Sequence, residues 1–202
     1  MIPTNDMALY PDREKVVELL RERHVKDDGG LQTRRHGGPY FMHPIAVTEI
    51  LHNRFKEMRR NVLIASDCHD LLEDTKTTYQ ELYGWYGEEV ANIVKALTKP
   101  PKVRQDGFYS IVIDGVEYNS EKTHYEEIAF AYYKTLRKSP PGSIEIKVCD
   151  RIHNLSEMQF TDKRFQRRYL TDTMLLVTAI DGVAPEQYLN ALKYEFWNAA
   201  NN

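Results

Sequence analysis

Residues 65–75 read ASDCHDLLEDT, which places a His-Asp pair one helical turn before a Glu-Asp pair. The spacing predicts a helix on which His69 lies four residues before Glu73, on the same face. Asp70 and Asp74 have the same spacing, so four ionisable side chains would crowd together. Acids this close raise one another's pKa unless a cation offsets the repulsion, and a divalent metal is the usual offset. The alternative is a solvated acidic helix end.

A histidine and an aspartate elsewhere in the chain extend this pattern. His43 follows a glycine-rich loop over residues 27–42 and starts a helix at a His-Pro step, since proline is tolerated in the first turn. Asp150 interrupts an apolar run, and a buried carboxylate needs a metal or a cationic partner, for which Arg151 is the nearest candidate. Taken singly, His43 could instead cap a helix, and Asp150 could be half of an ion pair.

Two imidazoles and two carboxylates together make a mixed nitrogen and oxygen ligand set. Its members are His43, His69, Asp70 and Asp150. Because no thiolate is included, the set suits manganese or another hard to borderline divalent ion better than structural zinc. We interpret the two cysteines, Cys68 and Cys149, as small core residues.

Length and composition indicate one folded domain and exclude several classes of protein. The chain has 202 residues, with 27 Lys and Arg against 30 Asp and Glu, a formal charge of −3. A pI near 6.2 disfavours a broad basic surface for duplex nucleic acid. Two cysteines exclude a disulfide scaffold, and no apolar run reaches the roughly 18–20 residues that cross a bilayer. We therefore expect a cytoplasmic protein.

Helical spacing dominates, and we predict an all-α fold. The predicted helices cover residues 12–26, with Asp12 as a cap, a helix that starts at His43-Pro44, residues 60–73, 87–98, 122–138, 143–158, 163–181 and 186–198, and a short helix after a Thr77 or Thr78 cap. The exception is residues 108–119, where two strand-like segments flank Asp114-Gly115, a pair typical of a type I′ turn. This segment predicts a small inserted β-hairpin.

The order of these motifs along the chain resembles one known family. The motifs are His43-Pro44, His69-Asp70, Glu73-Asp74-Thr75 and Asp150-Arg151-Ile152-His153-Asn154. They resemble the HD-domain hydrolases of the RelA/SpoT type, in particular the stand-alone small alarmone hydrolases. Residues 38–47 resemble that family's G-x-PY-x-x-HP-x-x-V segment, and residues 97–99 and 167–173 are also in register. The similarity runs from about residue 12 to residue 180, and it implies an HD-domain helical bundle with a single HD phosphohydrolase domain over residues 1–202.

The resemblance implies hydrolysis of the 3′-pyrophosphate of guanosine tetra- and pentaphosphate, which converts ppGpp to GDP and pyrophosphate. It also implies that one manganese ion is bound by His43, His69, Asp70 and Asp150. Glu73 and Asp74 match residues that position and activate the attacking water. The implied substrate contacts are Asn154, Tyr169 and either Arg34 or Arg35. Two alternatives remain: an HD phosphohydrolase acting on the 2′-phosphate of NADPH or on a nucleoside monophosphate, and a catalytically silent nucleotide-binding HD module.

Two segments depart from the family pattern. Leu155-Ser156-Glu157 stands where the family has a small basic stretch, and residues 100–121 look longer than the corresponding connection. Cations that could compensate are Lys99, Lys102, Arg104 and Lys122. The expected partner is a small guanine nucleotide, with neither duplex nucleic acid nor a membrane, and a homo-oligomer is left open.

Overall fold

The computed structural model describes residues 9–201. The helices are α1 (Arg13–Arg23), α2 (Met42–Phe55), α3 (Arg60–Asp67), α4 (Leu71–Asp74), α5 (Tyr79–Tyr86), α6 (Glu88–Leu97), α7 (Tyr125–Thr135), α8 (Ser143–Ser156), α9 (Lys163–Ile180) and α10 (Glu186–Asn201). The strands are β1 (Val103–Gln105), β2 (Phe108–Ile113) and β3 (Val116–Asn119). The fold is therefore a helical bundle with a small β insertion, which confirms the prediction of an all-α protein carrying a hairpin.

The hairpin forms at the predicted turn, and a third strand joins it. Asp114 (φ 50°) and Gly115 (φ 81°) both have positive φ, as a type I′ turn requires. β2 lies between β1 and β3, and both pairings are antiparallel. The three-residue β1 was not predicted, because Val103–Gln105 is too short and polar to show alternation.

The predicted helix over residues 60–73 is wrong in one respect, because it is broken at the His-Asp pair. α3 ends at Asp67 and α4 begins at Leu71, so the pair lies in the turn between them. The Asp67 carboxylate is fixed by Arg13 (3.0 Å) and by the Tyr10 hydroxyl (2.7 Å), both remote in sequence. Contacts outside the segment therefore hold the chain in this turn.

Of the two helix N-caps predicted from the sequence, the one on α5 forms and the one on α1 does not. Thr78 caps α5 in a complete capping box, as predicted for one of the two threonines. Asp12 occupies the N-cap position of α1 but makes no capping hydrogen bond; its φ is 64° and its carboxylate instead pairs with Lys15. The prediction of an Asp12 cap is thus correct in position and wrong in mechanism.

Helix α8 lies at the centre of the bundle, where it packs against α2, α6 and α10. α7 packs against α9 and also contacts β2, in which Ile111 and Ile113 are buried. Cys68 and Cys149 are free and fully buried, which confirms them as core residues. Within residues 9–201, no helix has the length and apolar character that crossing a bilayer demands.

Candidate active site

Four side chains from three parts of the chain converge on one point. His43 Nε2, from the first turn of α2, lies 3.2 Å from Asp150 Oδ1 of α8 and 3.5 Å from Asp70 Oδ2. His69 Nε2 lies 3.1 Å from Asp70 Oδ1 and 3.9 Å from Asp150 Oδ1. One ligand atom each of His43, His69 and Asp70 falls within 4.8 Å of the others. The structure therefore brings the four residues grouped from the sequence together, with His43, His69 and Asp70 as a possible three-residue metal group and Asp150 beside both histidines.

The hydrogen bonding of His69 suits a metal ligand. Its Nδ1 lies 2.8 Å from the carbonyl oxygen of Ser66, which can only accept, so Nδ1 carries the proton. Its Nε2 then has a free lone pair, and this buried atom has no hydrogen-bond partner among the described residues. An imidazole that donates from one nitrogen to a carbonyl and leaves the other free is the usual arrangement of a histidine ligand. These residues fit a divalent ion.

His43 is oriented by a second histidine to which no role was assigned from the sequence. Its Nδ1 lies 2.9 Å from Nδ1 of His153, so one of the two donates to the other. Burial, together with the nearby His43, lowers the pKa of His153 to about 4. A neutral His153 can accept a hydrogen bond at Nδ1 from the Nδ1–H group of His43, which leaves His43 Nε2 facing the two carboxylates.

The cationic partner of Asp150 is Lys147, and the expectation of Arg151 is wrong. Lys147 Nζ lies 2.9 Å from Asp150 Oδ2, one turn away on α8. Burial alone would raise the pKa of Asp150, but the Lys147 ammonium holds it well below its usual value. The Arg151 guanidinium faces away, over the Tyr169 ring at 4.3 Å, with the Tyr133 hydroxyl as a hydrogen-bond partner.

The two acids after the His-Asp pair face different partners. The Tyr40 hydroxyl donates to Asp74 Oδ2 at 2.6 Å and lies 3.3 Å from Asp70 Oδ2. Burial, followed by the charge of Asp70, raises the pKa of Asp74. Glu73 turns toward Lys99, whose Nζ lies 3.1 Å from its carboxylate. Asp74 is thus next to the metal-ligand cluster, whereas Glu73 belongs to an ion pair beside it.

The two arginines of the loop before α2 are held differently. Arg34 donates from Nε to Glu157 at 3.0 Å and from Nη2 to Asn154 at 2.6 Å, and its side chain is only 14% exposed. Arg35 lies 4.0 Å above the Phe165 ring with 56% of its side chain exposed. Glu157, which departs from the family pattern, therefore serves to fix Arg34.

A cavity of about 980 Å³ opens over the ligand cluster. Its wall includes the expected site residues His43, Asp70, Asp150, Glu73, Asp74, Arg34, Arg35, Asn154 and Tyr169. His69 is 4% exposed and lies behind this wall.

The sequence did not predict roles for Tyr40, Lys147 and His153. Lys147 stands three residues before Asp150, a spacing that places both on one helix face, so its role could have been inferred.

Comparison of the sequence with known proteins finds a matching family model and several similar proteins. A family model described as "HD domain" matches residues 18–177. A guanosine-3′,5′-bis(diphosphate) 3′-pyrophosphohydrolase of Aquifex aeolicus is 29% identical over 169 residues, which is 83% of this chain and 21% of that protein. The bifunctional (p)ppGpp synthase/hydrolase SpoT of Escherichia coli is 30% identical over 165 residues, which is 80% of this chain and 21% of that protein. This chain thus spans about a fifth of the length of both relatives.

A solved structure shares the fold over nearly the whole chain. It is described as a metazoan ortholog of SpoT that hydrolyzes ppGpp and plays a role in starvation responses. The TM-score is 0.69 at 18% identity, with 98% of this chain and 97% of the other covered. At that identity the likeness shows the fold alone.

Proposed function

Since the chain belongs to the HD domain family, we propose that it is a metal-dependent hydrolase of guanosine tetra- and pentaphosphate. The reaction is removal of the 3′-pyrophosphate, which converts ppGpp and water to GDP and pyrophosphate. The observation that carries this proposal is the convergence of His43, His69, Asp70 and Asp150 around one centre, with His69 Nε2 buried and unpartnered among the described residues. Relatives named as 3′-pyrophosphohydrolases over the matching region support the substrate.

The proposed cofactor is one manganese ion held by these four residues. Imidazoles mixed with carboxylates suit manganese or a similar divalent cation, and no thiolate is within the set. When bound, the ion supplies polarisation of a phosphoryl oxygen and makes a water molecule more acidic. The free lone pair of His69 and the deprotonated Asp150 are ready to bind it without releasing a proton.

Asp74 is the residue that we propose as the general base. Its raised pKa strengthens its affinity for a proton, and Tyr40 fixes the orientation of its carboxylate. Glu73 keeps Lys99 at the cavity wall, where the ammonium can neutralise a phosphate oxygen. In this proposal Asp74 activates the attacking water, and Glu73 positions a cation beside it.

The nucleoside would lie against the loop arginines. Because Glu157 and Asn154 occupy the donors of Arg34, its plane is fixed and can stack on a flat base. Arg35 keeps exposed donors for the edge of the base or for a phosphate. Asn154, which also donates to the Asp150 carbonyl oxygen at 3.0 Å, and Tyr169 are the other proposed substrate contacts.

The domain bounds, the cellular location and the oligomeric state stay predictions. The family model matches residues 18–177, and we propose that the same HD domain extends over residues 1–202. A cytoplasmic location agrees with two buried free cysteines, since a reducing compartment keeps thiols unpaired. A homo-oligomer stays open, and the partner we propose is the small guanine nucleotide alone.

The test is product analysis with purified protein. Incubation with ppGpp and Mn²⁺ should release equal amounts of GDP and pyrophosphate, separated by anion-exchange chromatography. Parallel reactions contain NADPH and GMP. Phosphate release from NADPH or GMP, with ppGpp intact, would show a phosphohydrolase of different specificity. Binding of ppGpp without turnover of any nucleotide would show a silent module.

A further inference from the structure

A second cavity adjoins the one over the ligand cluster. Its volume is about 690 Å³, and it is enclosed by the inserted sheet, the start of α7 and the face of α9. The two cavities share the side chains of Lys102, Tyr109, Tyr125 and Arg168. The two cavities therefore adjoin at these four side chains, and these side chains can contact a ligand from either cavity.

The wall of the second cavity carries three cations against one acid. The cations are Lys102, Arg104 and Arg168, and the acid is Glu126. Among residues 9–201, no carboxylate lies within ion-pair distance of any of the three cations, although the charge of Asp172 acts on Arg168 and that of Glu73 acts on Lys102. Aromatic rings support two of them instead, because Lys102 Nζ lies 4.4 Å from the Tyr109 ring and the Arg168 guanidinium 4.1 Å from the Tyr125 ring.

The sheet register places the third cation with the other two. Arg104 of β1 is directly opposite Tyr109 of β2, and residues paired across an antiparallel ladder project to the same face. Partial desolvation and the positive charges of Lys99, Arg168 and Arg104 lower the pKa of Lys102. These cations are therefore close enough to repel one another, and a multiply charged anion would relieve that repulsion.

Three lysines that line the first cavity, here called the lysine row, interact electrostatically from the candidate metal centre to this cluster. Lys147 pairs with the ligand Asp150, and its charge acts on Lys99, whose charge acts in turn on Lys102. Lys99 and Lys102 both line the first cavity. The lysine row therefore runs from the reacting end of a bound nucleotide toward the inserted sheet.

We propose that Lys102, Arg104 and Arg168 form a second phosphate subsite, which binds the phosphate groups that the enzyme does not hydrolyse. The subsite makes the enzyme favour nucleotides phosphorylated at both ends over those with a single diphosphate. This inference rests on the proposed function, since it assigns the 5′-phosphates of that substrate. The inserted sheet, which carries Arg104, thereby contributes to substrate selection.

The test compares two substrates that differ only at the 5′ end. These are ppGpp and guanosine 3′-diphosphate, which lacks 5′-phosphates. Each of Lys102→Gln, Arg104→Gln and Arg168→Gln should reduce the ratio of kcat/KM for ppGpp to kcat/KM for the truncated substrate by about tenfold, the factor for loss of one charged hydrogen bond. The loss should come mainly from a raised KM for ppGpp. Lys122→Gln makes the same charge change beside the sheet, and that residue lines neither described cavity, so it should keep the wild-type ratio.

Every outcome separates this inference from the proposed function. A wild-type enzyme that hydrolyses ppGpp, with unchanged ratios in all three variants, overturns the subsite and leaves the function intact. If the wild type hydrolyses neither nucleotide, the function fails, and calorimetry with inorganic tripolyphosphate then tests the subsite alone. Weaker binding by the triple variant than by Lys122→Gln supports it, and equal binding overturns it. Circular dichroism melting checks that each variant is folded.

Discussion

Asp70 and Asp74 both contact Tyr40 but differ in their surroundings. Asp70 faces His43 and His69, which lower its pKa although burial opposes this, whereas burial and Asp70 raise the pKa of Asp74. Their replacement should therefore separate metal binding from turnover. Asp74→Asn should keep Mn²⁺ affinity and lose about 10²–10⁴-fold in kcat, the usual worth of a general base.

Asp70→Asn should lose both properties, with a Mn²⁺ affinity lower by more than about 100-fold, since even residues behind the ligands cost 10–100-fold. Isothermal titration with Mn²⁺ and pyrophosphate release measure the two effects. Equal loss of Mn²⁺ affinity in both variants would contradict the division of roles.

The turn that presents the His-Asp pair depends on a buried ion pair. Asp67 accepts from Arg13 Nε at 3.0 Å and from Arg13 Nη2 at 3.2 Å, and the two side chains are 0% and 1% exposed. Asp67→Ala removes the two hydrogen bonds that Asp67 accepts from the buried Arg13 guanidinium and the one that it accepts from the Tyr10 hydroxyl, which should lower the free energy of unfolding by about 2–5 kcal/mol. Urea unfolding followed by circular dichroism measures this loss.

The control for Asp67 is an ion pair on the surface. Asp27 and Lys76 pair at 2.8 Å in solvent, so Asp27→Ala should leave the urea midpoint unchanged. A midpoint for Asp67→Ala as high as that of Asp27→Ala would mean that the buried pair does not hold the turn.

Helix α8 carries Lys147, Asp150 and Asn154, and its position depends on the glycine before it. Gly142 has φ +99°, and an added Cβ would lie 2.8 Å from Val62 of α3. Gly142→Ala should therefore destabilise the protein by about 1–3 kcal/mol through backbone strain and overpacking. Gly84 lies within α5, where an added Cβ would meet no other atom within 4 Å, so Gly84→Ala should instead stabilise by about 0.5–1 kcal/mol. Thermal unfolding of both variants checks the opposite signs; a shared sign contradicts the argument.

The elements that the sequence predicted well are those with a local cause. Helices α8 and α9 and the Asp114-Gly115 turn are determined by residues that are neighbours in sequence, and all three form as expected. The break at residues 68–70 has a distant cause, because Arg13 and Tyr10 hold the end of α3. Local periodicity carries no information about such contacts.

The candidate site likewise combines residues that the sequence motifs predicted with contacts that they did not predict. The convergence of His43 with Asp70 and Asp150 followed from ordered motifs, whereas the partners of these ligands depend on how the helices pack. His153 meets His43 only because α2 packs on α8, so its role was not visible in either motif alone.

Charge is distributed unevenly over the molecule. The chain as a whole has a formal charge of −3, yet Lys99, Lys102, Lys147 and Arg168 gather around the cavity that also holds the acidic cluster. The adjoining second cavity carries Lys102, Arg104 and Arg168 against Glu126, and a cleft lined mainly with one sign of charge concentrates counter-ions. A negatively charged protein can thus attract a polyphosphate to one face.

The candidate metal centre joins elements that are far apart in the chain. His43 belongs to α2, His69 and Asp70 to the turn after α3, and Asp150 to α8, so a bound ion would link all three. The unfolded chain cannot present these residues together, and a ligand that binds only the folded state stabilises it. Mn²⁺ at 100 times its dissociation constant should therefore add about 2.7 kcal/mol to the free energy of unfolding.

The comparison variant is His69→Ala, which removes one proposed ligand whose Nε2 has no hydrogen bond to lose among the described residues. Its unfolding in EDTA and in Mn²⁺ should coincide, whereas the wild type should melt at a higher temperature with the ion than with EDTA. Differential scanning calorimetry measures both proteins. An equal rise in both would place the stabilising ion at some other site, because a shared centre cannot bind with full strength after losing a ligand.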